Sequence, residues 1–154
     1  MRTVTVASIL VAGLGLVAAQ GSEEVMTAAG LKSALESKGH VVTVLVADEG
    51  KELYQVKVEK SGFNIPVTAS LSPSKSYMWF TVNLGPSGEK SKFADMLKKN
   101  ATIMPSFFYV SGSANAVQMA YPIENRGVTA DRVQKDLMRF TDDVVGSVDV
   151  WRQE

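Results

Sequence analysis

The clearest pattern in the chain is a helix near its C-terminus. Thr129 suits the N-cap position, and Val128 and Val133 stand where a hydrophobic staple would place them across that cap. The apolar positions that follow recur at spacings of three and four, which is the spacing of one helical face. They are Val133, Leu137, Phe140, Val144, Val148 and Trp151. The pattern predicts one amphipathic helix that buries this stripe against a sheet.

Two shorter helices are predicted upstream. Thr27 can cap the first, with Met26 and Leu31 as its staple, and Gly39 supplies a left-handed stop. A middle helix is predicted over residues 89–100, where polar and apolar positions again follow a helical spacing. Its inward side chains are expected to be Phe93, Met96 and Leu97.

Between these helices, apolar and polar positions alternate with the period of two that strands show. The predicted strands cover residues 41–47, 54–59, 63–71, 76–84, 107–110 and 117–123. Pro66 removes one hydrogen-bond donor from the third strand, which favours a sheet edge or a bulge at that point. The turns between successive strands are short, so neighbouring strands are expected to pair as antiparallel hairpins.

The order of elements is therefore α-β-β-β-β-α-β-β-α. A strand set joined by hairpins and flanked by helices predicts an α+β fold with a single antiparallel sheet of five or six strands and three helices. The first and last helices are expected to pack on the same face of that sheet. No internal repeat or long linker divides the chain of 154 residues, so residues 20–154 are predicted to form one domain.

From about Met26 onward the chain resembles the YbjN-type family of bacterial sensory-transduction regulators. The resemblance rests on MTAAGLKSALESKGH before a hairpin, on the FFYV strand, and on AVQMAYPIENRGVTADRVQKDLMRF. The family shares its fold with class I type III secretion chaperones. The resemblance implies a one-sheet α+β domain, often dimeric, that binds protein segments. It brings no catalytic motif with it.

The first residues have the features of an export signal. Arg2 precedes an apolar run from Val4 to Ala19, which ends in the small residues that a signal peptidase reads. The run also contains G-x-G-x-x-A, but the acid that a dinucleotide site requires about 20 residues later is missing. Residues 1–19 are therefore predicted to be a cleaved signal peptide. The mature protein is then expected in the periplasm or outside the cell, and not in the membrane.

Composition excludes several classes of function. The 16 basic and 16 acidic residues balance, so the chain lacks the basic surplus typical of nucleic-acid binding. It has no Cys and one His, which leaves too few strong ligands for a zinc site. No metal or cofactor is predicted.

Motifs for catalysis are weak. His40 is the only imidazole, and no nucleophile elbow accompanies it. Residues 85–91 resemble a phosphate-binding loop, but Glu89 stands where that loop requires Gly. Asn100 begins a possible glycosylation acceptor, which matters only in a eukaryotic secretory pathway. We predict no catalytic residues and no enzyme activity.

Aromatic residues on the strands are the best candidates for binding. In the strand over residues 76–84, Met78 and Phe80 share one face, and Tyr77 and Trp79 share the other. The more aliphatic face is expected to form the core. The predicted binding residues are Tyr77, Trp79, Phe108 and Tyr121.

Together these features predict a non-enzymatic module that binds a protein or peptide, on the second sheet face or along an exposed strand edge, and that forms a homodimer. The alternative is a small-ligand binder or hydrolase with a site between helix and sheet, which would use His40 and nearby carboxylates.

The first testable prediction concerns export. Because the peptidase site is expected after Ala19, protein recovered from its native host should begin at Gln20 or within a few residues of it. Intact-mass measurement decides the point, since a mass that includes residues 1–19 would contradict the prediction.

Overall fold

The structure is a computed structural model, and it describes residues 24–112 and 115–152. The predicted signal peptide lies outside these residues. The described elements are α1 (Ala28–Ser37), β1 (Thr43–Val46), β2 (Leu53–Lys60), β3 (Phe63–Leu71), β4 (Tyr77–Pro86), α2 (Phe93–Ile103), β5 (Phe107–Ser111), β6 (Ala116–Glu124), α3 (Ala130–Val145) and α4 (Val148–Trp151).

The strands form one six-stranded sheet in the order β1-β2-β3-β4-β6-β5. Every neighbouring pair is antiparallel. The predicted α+β class, the single antiparallel sheet and the order of the predicted elements are confirmed. The described chain has four helices where three were predicted.

Helices α1 and α3 pack side by side and cover one face of the sheet, as predicted. Both begin at the predicted caps, because Thr27 Oγ1 accepts from the Gly30 N–H and Thr129 Oγ1 accepts from the Arg132 N–H. The stripe of α3 is buried against strand side chains. The central strand residues of this core are Val56, Ile65, Val67, Met78, Phe80, Val117, Met119 and Ile123.

The fourth helix arises because the predicted C-terminal helix is broken. Gly146 ends α3, and the Ser147 hydroxyl donates to the Asp143 carbonyl instead of leaving the backbone to continue the turn. Glycine is a poor helix former, and serine competes for backbone groups. The chain restarts as α4, which the Trp151 indole N–H ties back to the Val144 carbonyl at 2.8 Å.

Helix α2 differs from its prediction in both bounds and face. It begins at Phe93 and not near residue 89, and Lys92 at its N-cap makes no side-chain cap bond. Met96 is buried as expected, but Phe93 and Leu97 are exposed, so the predicted inward set was wrong for these two. The reason is tertiary, since α2 lies beside β5 and α4 and buries only a narrow strip.

Pro66 behaves as an edge residue within an inner strand. The ladder between β3 and β4 spans only Thr68 to Leu71, so the first half of β3 pairs with β2 alone. Pro66 lies in that half, opposite Lys57. The missing N–H of proline is therefore tolerated there, as the sequence predicted.

The two outer strands of the sheet, β1 and β5, differ in the hydrogen bonding of their outer backbone groups. On β5, the Asn100 side chain of α2 bonds both backbone groups of Phe108, accepting from its N–H at 2.7 Å and donating to its carbonyl at 3.2 Å. A side-chain amide here takes the place of a neighbouring strand. Asn100 is thus engaged in the fold, although it begins a glycosylation motif.

Asn125, at the end of β6, fastens three segments together. Its buried side chain accepts from the Met26 N–H at 3.0 Å and donates to the carbonyls of Met26 and Lys75, each at 2.9 Å. The segment before α1 and the turn between β3 and β4 are therefore held to the sheet by one amide.

We predict that Asn125→Ala lowers the free energy of unfolding by about 2–4 kcal/mol, because it leaves buried backbone groups without partners. Urea denaturation measures the change. Asn64→Ala, on an exposed position of β3, is the matched control and should change stability by less than about 0.5 kcal/mol. Equal effects of the two changes would contradict this role for Asn125.

Candidate binding face

The sheet has a second face that the helices leave uncovered in the described chain. On β4, Met78, Phe80 and Val82 point into the core, and the alternation of side chains sends Tyr77 and Trp79 to the other side. Tyr77 is 46% exposed there, and Trp79 is partly buried. The sequence predicted the faces of Met78, Phe80, Tyr77 and Trp79 correctly.

Four rings on this face form a continuous cluster, which we call the aromatic belt: Tyr77, Trp79, Phe107 and Tyr109. Their successive centroids are 6.3, 6.3 and 5.9 Å apart. Trp79 stands on β4 and Phe107 on β5, with β6 between them, so these two rings meet above β6. Ala120 lies opposite Phe107 on β6 and is buried. Its side chain is a single methyl group, which leaves room for the rings around it. The four rings therefore form one continuous surface.

The belt also carries polar atoms. The Tyr109 hydroxyl donates to Gln118 Oε1, and partial burial raises the pKa of Tyr109 above its usual value. Among the described residues nothing accepts from the Trp79 indole N–H. A large apolar surface with an available donor is the composition typical of protein interfaces.

The structure separates the four predicted binding residues into two pairs. Tyr77 and Trp79 lie together on the open face. Phe108 and Tyr121 lie under the helices, with only 5% and 2% of their surfaces exposed. These two are core residues here, because the alternation on β5 and β6 turns them to the covered face, and they do not belong to the candidate surface.

Phe107 and Tyr109 take their place on the open face, and the selection from sequence missed them. The run from Phe107 to Val110 is aromatic or apolar at every position, so its pattern does not show which side chains face the core. The register of β5 with β6, which pairs Phe107 with Ala120 and Tyr109 with Gln118, decides the question.

The side chain of Tyr121 is hydrogen bonded to helix α3. Its hydroxyl donates to the buried Asp136 carboxylate at 3.2 Å, and Arg132 donates to the other oxygen of that carboxylate at 2.5 Å. Burial, with the nearby Asp136 charge, raises the pKa of Tyr121, and the Asp136 carboxylate raises that of Arg132. The group is fully partnered within the described chain, which marks it as part of the packing between α3 and β6.

His40 lies at the contact between the end of α1 and α3. Its Nε2 is 2.7 Å from Gln134 Oε1, and the nearby Asp131 carboxylate is paired with Lys38, which lowers the pKa of Asp131. Residues 24–112 and 115–152 contain no group of three His, Asp or Glu side chains that could hold a metal ion. The same residues contain no helix long and apolar enough to cross a membrane.

In residues 85–91, which resemble a phosphate-binding loop, polar groups form hydrogen bonds within the protein. The Gly88 N–H donates to Ser91 Oγ at 3.0 Å, and the Ser87 hydroxyl bonds to Asn115. Helix α2 starts only at Phe93, beyond the Lys-Ser pair. The segment forms a strand-to-helix turn that also fastens the hairpin between β5 and β6.

Comparison with known proteins places the fold. No family model matches the chain, and no curated protein matches it. Among solved structures, a chain of the "Structure of the HopA1-SchA Chaperone-Effector Complex" is similar, with a TM-score of 0.53 and 11% sequence identity. The match covers 79% of this chain and 89% of that one. The protein therefore shares its α+β fold with a chain of that complex, and the likeness extends to the fold alone.

Trp79 and Phe80 are neighbours on opposite faces, which makes them a matched pair for mutation. Phe80→Ala empties a fully buried site and should lower the free energy of unfolding by about 3–5 kcal/mol. Trp79→Ala should lower it by only about 1–2 kcal/mol, because the ring is partly exposed and lies on the face of the sheet that the helices leave open. Thermal and urea melts measure both changes. A loss for Trp79→Ala as large as that for Phe80→Ala would show that the belt is needed for folding.

Proposed function

We propose that this protein is an exported, non-enzymatic module that binds a segment of a partner protein on the aromatic belt. The observation that carries the proposal is the cluster of four rings on the face that the helices leave open. Large rings at interfaces bury much area and lose little conformational entropy, so they supply most of the binding energy in many complexes.

The fold neighbour supports a protein partner. The similar solved structure is a chaperone-effector complex by its own description. Export enters the proposal through the leader-like segment 1–19, and a periplasmic or extracellular location follows if that segment is removed.

The chemistry around the belt suggests which segment would bind. Most side chains that border it on the sheet are uncharged, namely Ser70, Thr81, Asn83 and Gln118, and the charged one is Glu124, which is paired opposite Tyr77 at the end of the belt. The uncharged part of this surface, around Trp79, Phe107 and Tyr109, does not repay the desolvation of a charged partner group. An apolar, extended segment with free backbone carbonyls suits this face best, and the Trp79 indole N–H can donate to one of those carbonyls.

The test uses a library of random peptides displayed on phage, panned on the purified protein. Peptides selected on the wild type should lose about 30-fold or more in affinity on Trp79→Ala, since an aromatic anchor contributes about 2 kcal/mol or more. Gln55→Ala, on the same face but away from the rings, is the control and should bind as the wild type does. The Trp79 indole N–H resonance should shift when peptide is added.

His40→Ala separates this proposal from a small-ligand site between helix and sheet. That change should leave peptide affinity within about twofold, because His40 contacts α3 on the covered side of the sheet. Selected peptides that bind Trp79→Ala as tightly as the wild type, or that fail on His40→Ala instead, would contradict binding at the belt.

A further inference from the structure

The first residues of the described chain lie at one end of the aromatic belt. The Asn125 amide holds Met26, accepting from its N–H at 3.0 Å and donating to its carbonyl at 2.9 Å, and the Glu24 carbonyl accepts from the turn before α3 at 3.2 Å. Val25 and Tyr77, the first ring of the belt, line one surface cavity of about 390 Å³. They are 48% and 46% exposed. The chain before residue 24 is therefore joined to the fold beside the belt.

That chain is long enough to cross the belt. Successive ring centroids are 6.3, 6.3 and 5.9 Å apart, and an extended segment of about six residues, at ~3.3 Å each, covers this length. Residues 20–23 read QGSE and contain no large apolar side chain, and the apolar run from Val4 to Ala19 ends directly before them. From Glu24 back to Leu16, an extended chain reaches about 26 Å. The second half of the apolar run is therefore within reach of all four rings.

The apolar run also has the chemistry that suits this face. Residues 4–19 contain no ionisable side chain and no proline, so they bring no charge to be desolvated and keep their backbone carbonyls accessible to a donor. In an extended segment, alternate side chains share a side, which puts Leu14 and Leu16 together and Gly13 and Gly15 opposite them. Two leucines can therefore contact the rings from one side of the segment.

We propose that, in a chain that still carries residues 1–19, the second half of the apolar run lies extended on the aromatic belt and occupies it. The inference rests on the proposed function, because it concerns the same surface and makes cleavage after Ala19 the step that opens this surface to a partner. A tethered segment has an effective concentration of about 1 mM. If its own dissociation constant is about 50 µM, it weakens the binding of a partner about 20-fold.

The test compares the full chain, residues 1–154, with a chain that begins at Gln20 and contains every described residue. The probe is a labelled peptide selected by phage display on the shorter chain. Fluorescence anisotropy should show that the full chain binds it about 20-fold more weakly. Because the contact is intramolecular, the loss should be the same at about 0.1 µM and about 10 µM protein. A loss that disappears on dilution would overturn the proposal, since copies of the chain would then be covering each other.

A matched pair of variants of the full chain locates the contact. Leu14→Asp with Leu16→Asp should restore peptide affinity to within about twofold of the shorter chain, because the carboxylates would have to be desolvated on the rings. Thr3→Asp with Thr5→Asp adds the same charge at the far end of the run and should leave binding weak. Circular dichroism should show both variants folded. Equal recovery by the two variants would overturn the proposal.

The Trp79 indole N–H resonance tests the contact without any peptide. It should differ between the full chain and the shorter chain, and the Leu14 and Leu16 variant should return it to the position seen in the shorter chain. Equal positions in the two chains would overturn this inference and leave the proposed function standing. Peptides that bind the shorter chain away from Trp79 would instead contradict the proposed function, and the resonance would still decide whether residues 1–19 occupy the belt.

Discussion

The ring of Phe140 stands on the middle of the sheet, 6.4 Å from the ring of Phe80 and 6.1 Å from that of Tyr121. All three rings are buried, and they join α3 to β4 and β6. Burial of apolar surface is the main favourable term in folding, and here it is concentrated between one helix stripe and one face of one sheet. Cap, staple and sheet register all serve this contact, because each sets which side of α3 meets which strands.

Because the helices form a layer on one face of the sheet, the other face packs against no helix in the described chain. Side chains alternate across a strand, so β4 carries Phe80 in the core and Trp79 on the open face. The aromatic belt can therefore serve recognition without giving up the core. The same alternation makes Phe108 and Tyr121 core residues although they are as aromatic as their neighbours. Aromatic character alone did not distinguish a binding residue from a packing residue.

The sheet ends in two different ways, and neither is visible in the strand pattern. At β5, an asparagine from α2 occupies the backbone groups of Phe108. At β1, short length and a bulge are the only protection that the described residues give, and the uncharged run stays exposed. An unpaired edge attracts other strands. The two edges therefore differ, since β5 is occupied at Phe108 by its own chain and β1 pairs on one side alone in the described chain.

The sequence by itself determined the class of fold, the order of the elements, the caps at Thr27 and Thr129, and the inward face of α3. These features depend on local spacing and capping, which act over a few residues. Only the tertiary structure decided the rest: the break after Val145, the exposed side of α2, the phase of β5 and the use of Asn100 and Asn125. Each of these depends on a partner distant in the chain or on strand register, and the local pattern of apolar positions carries no information about either.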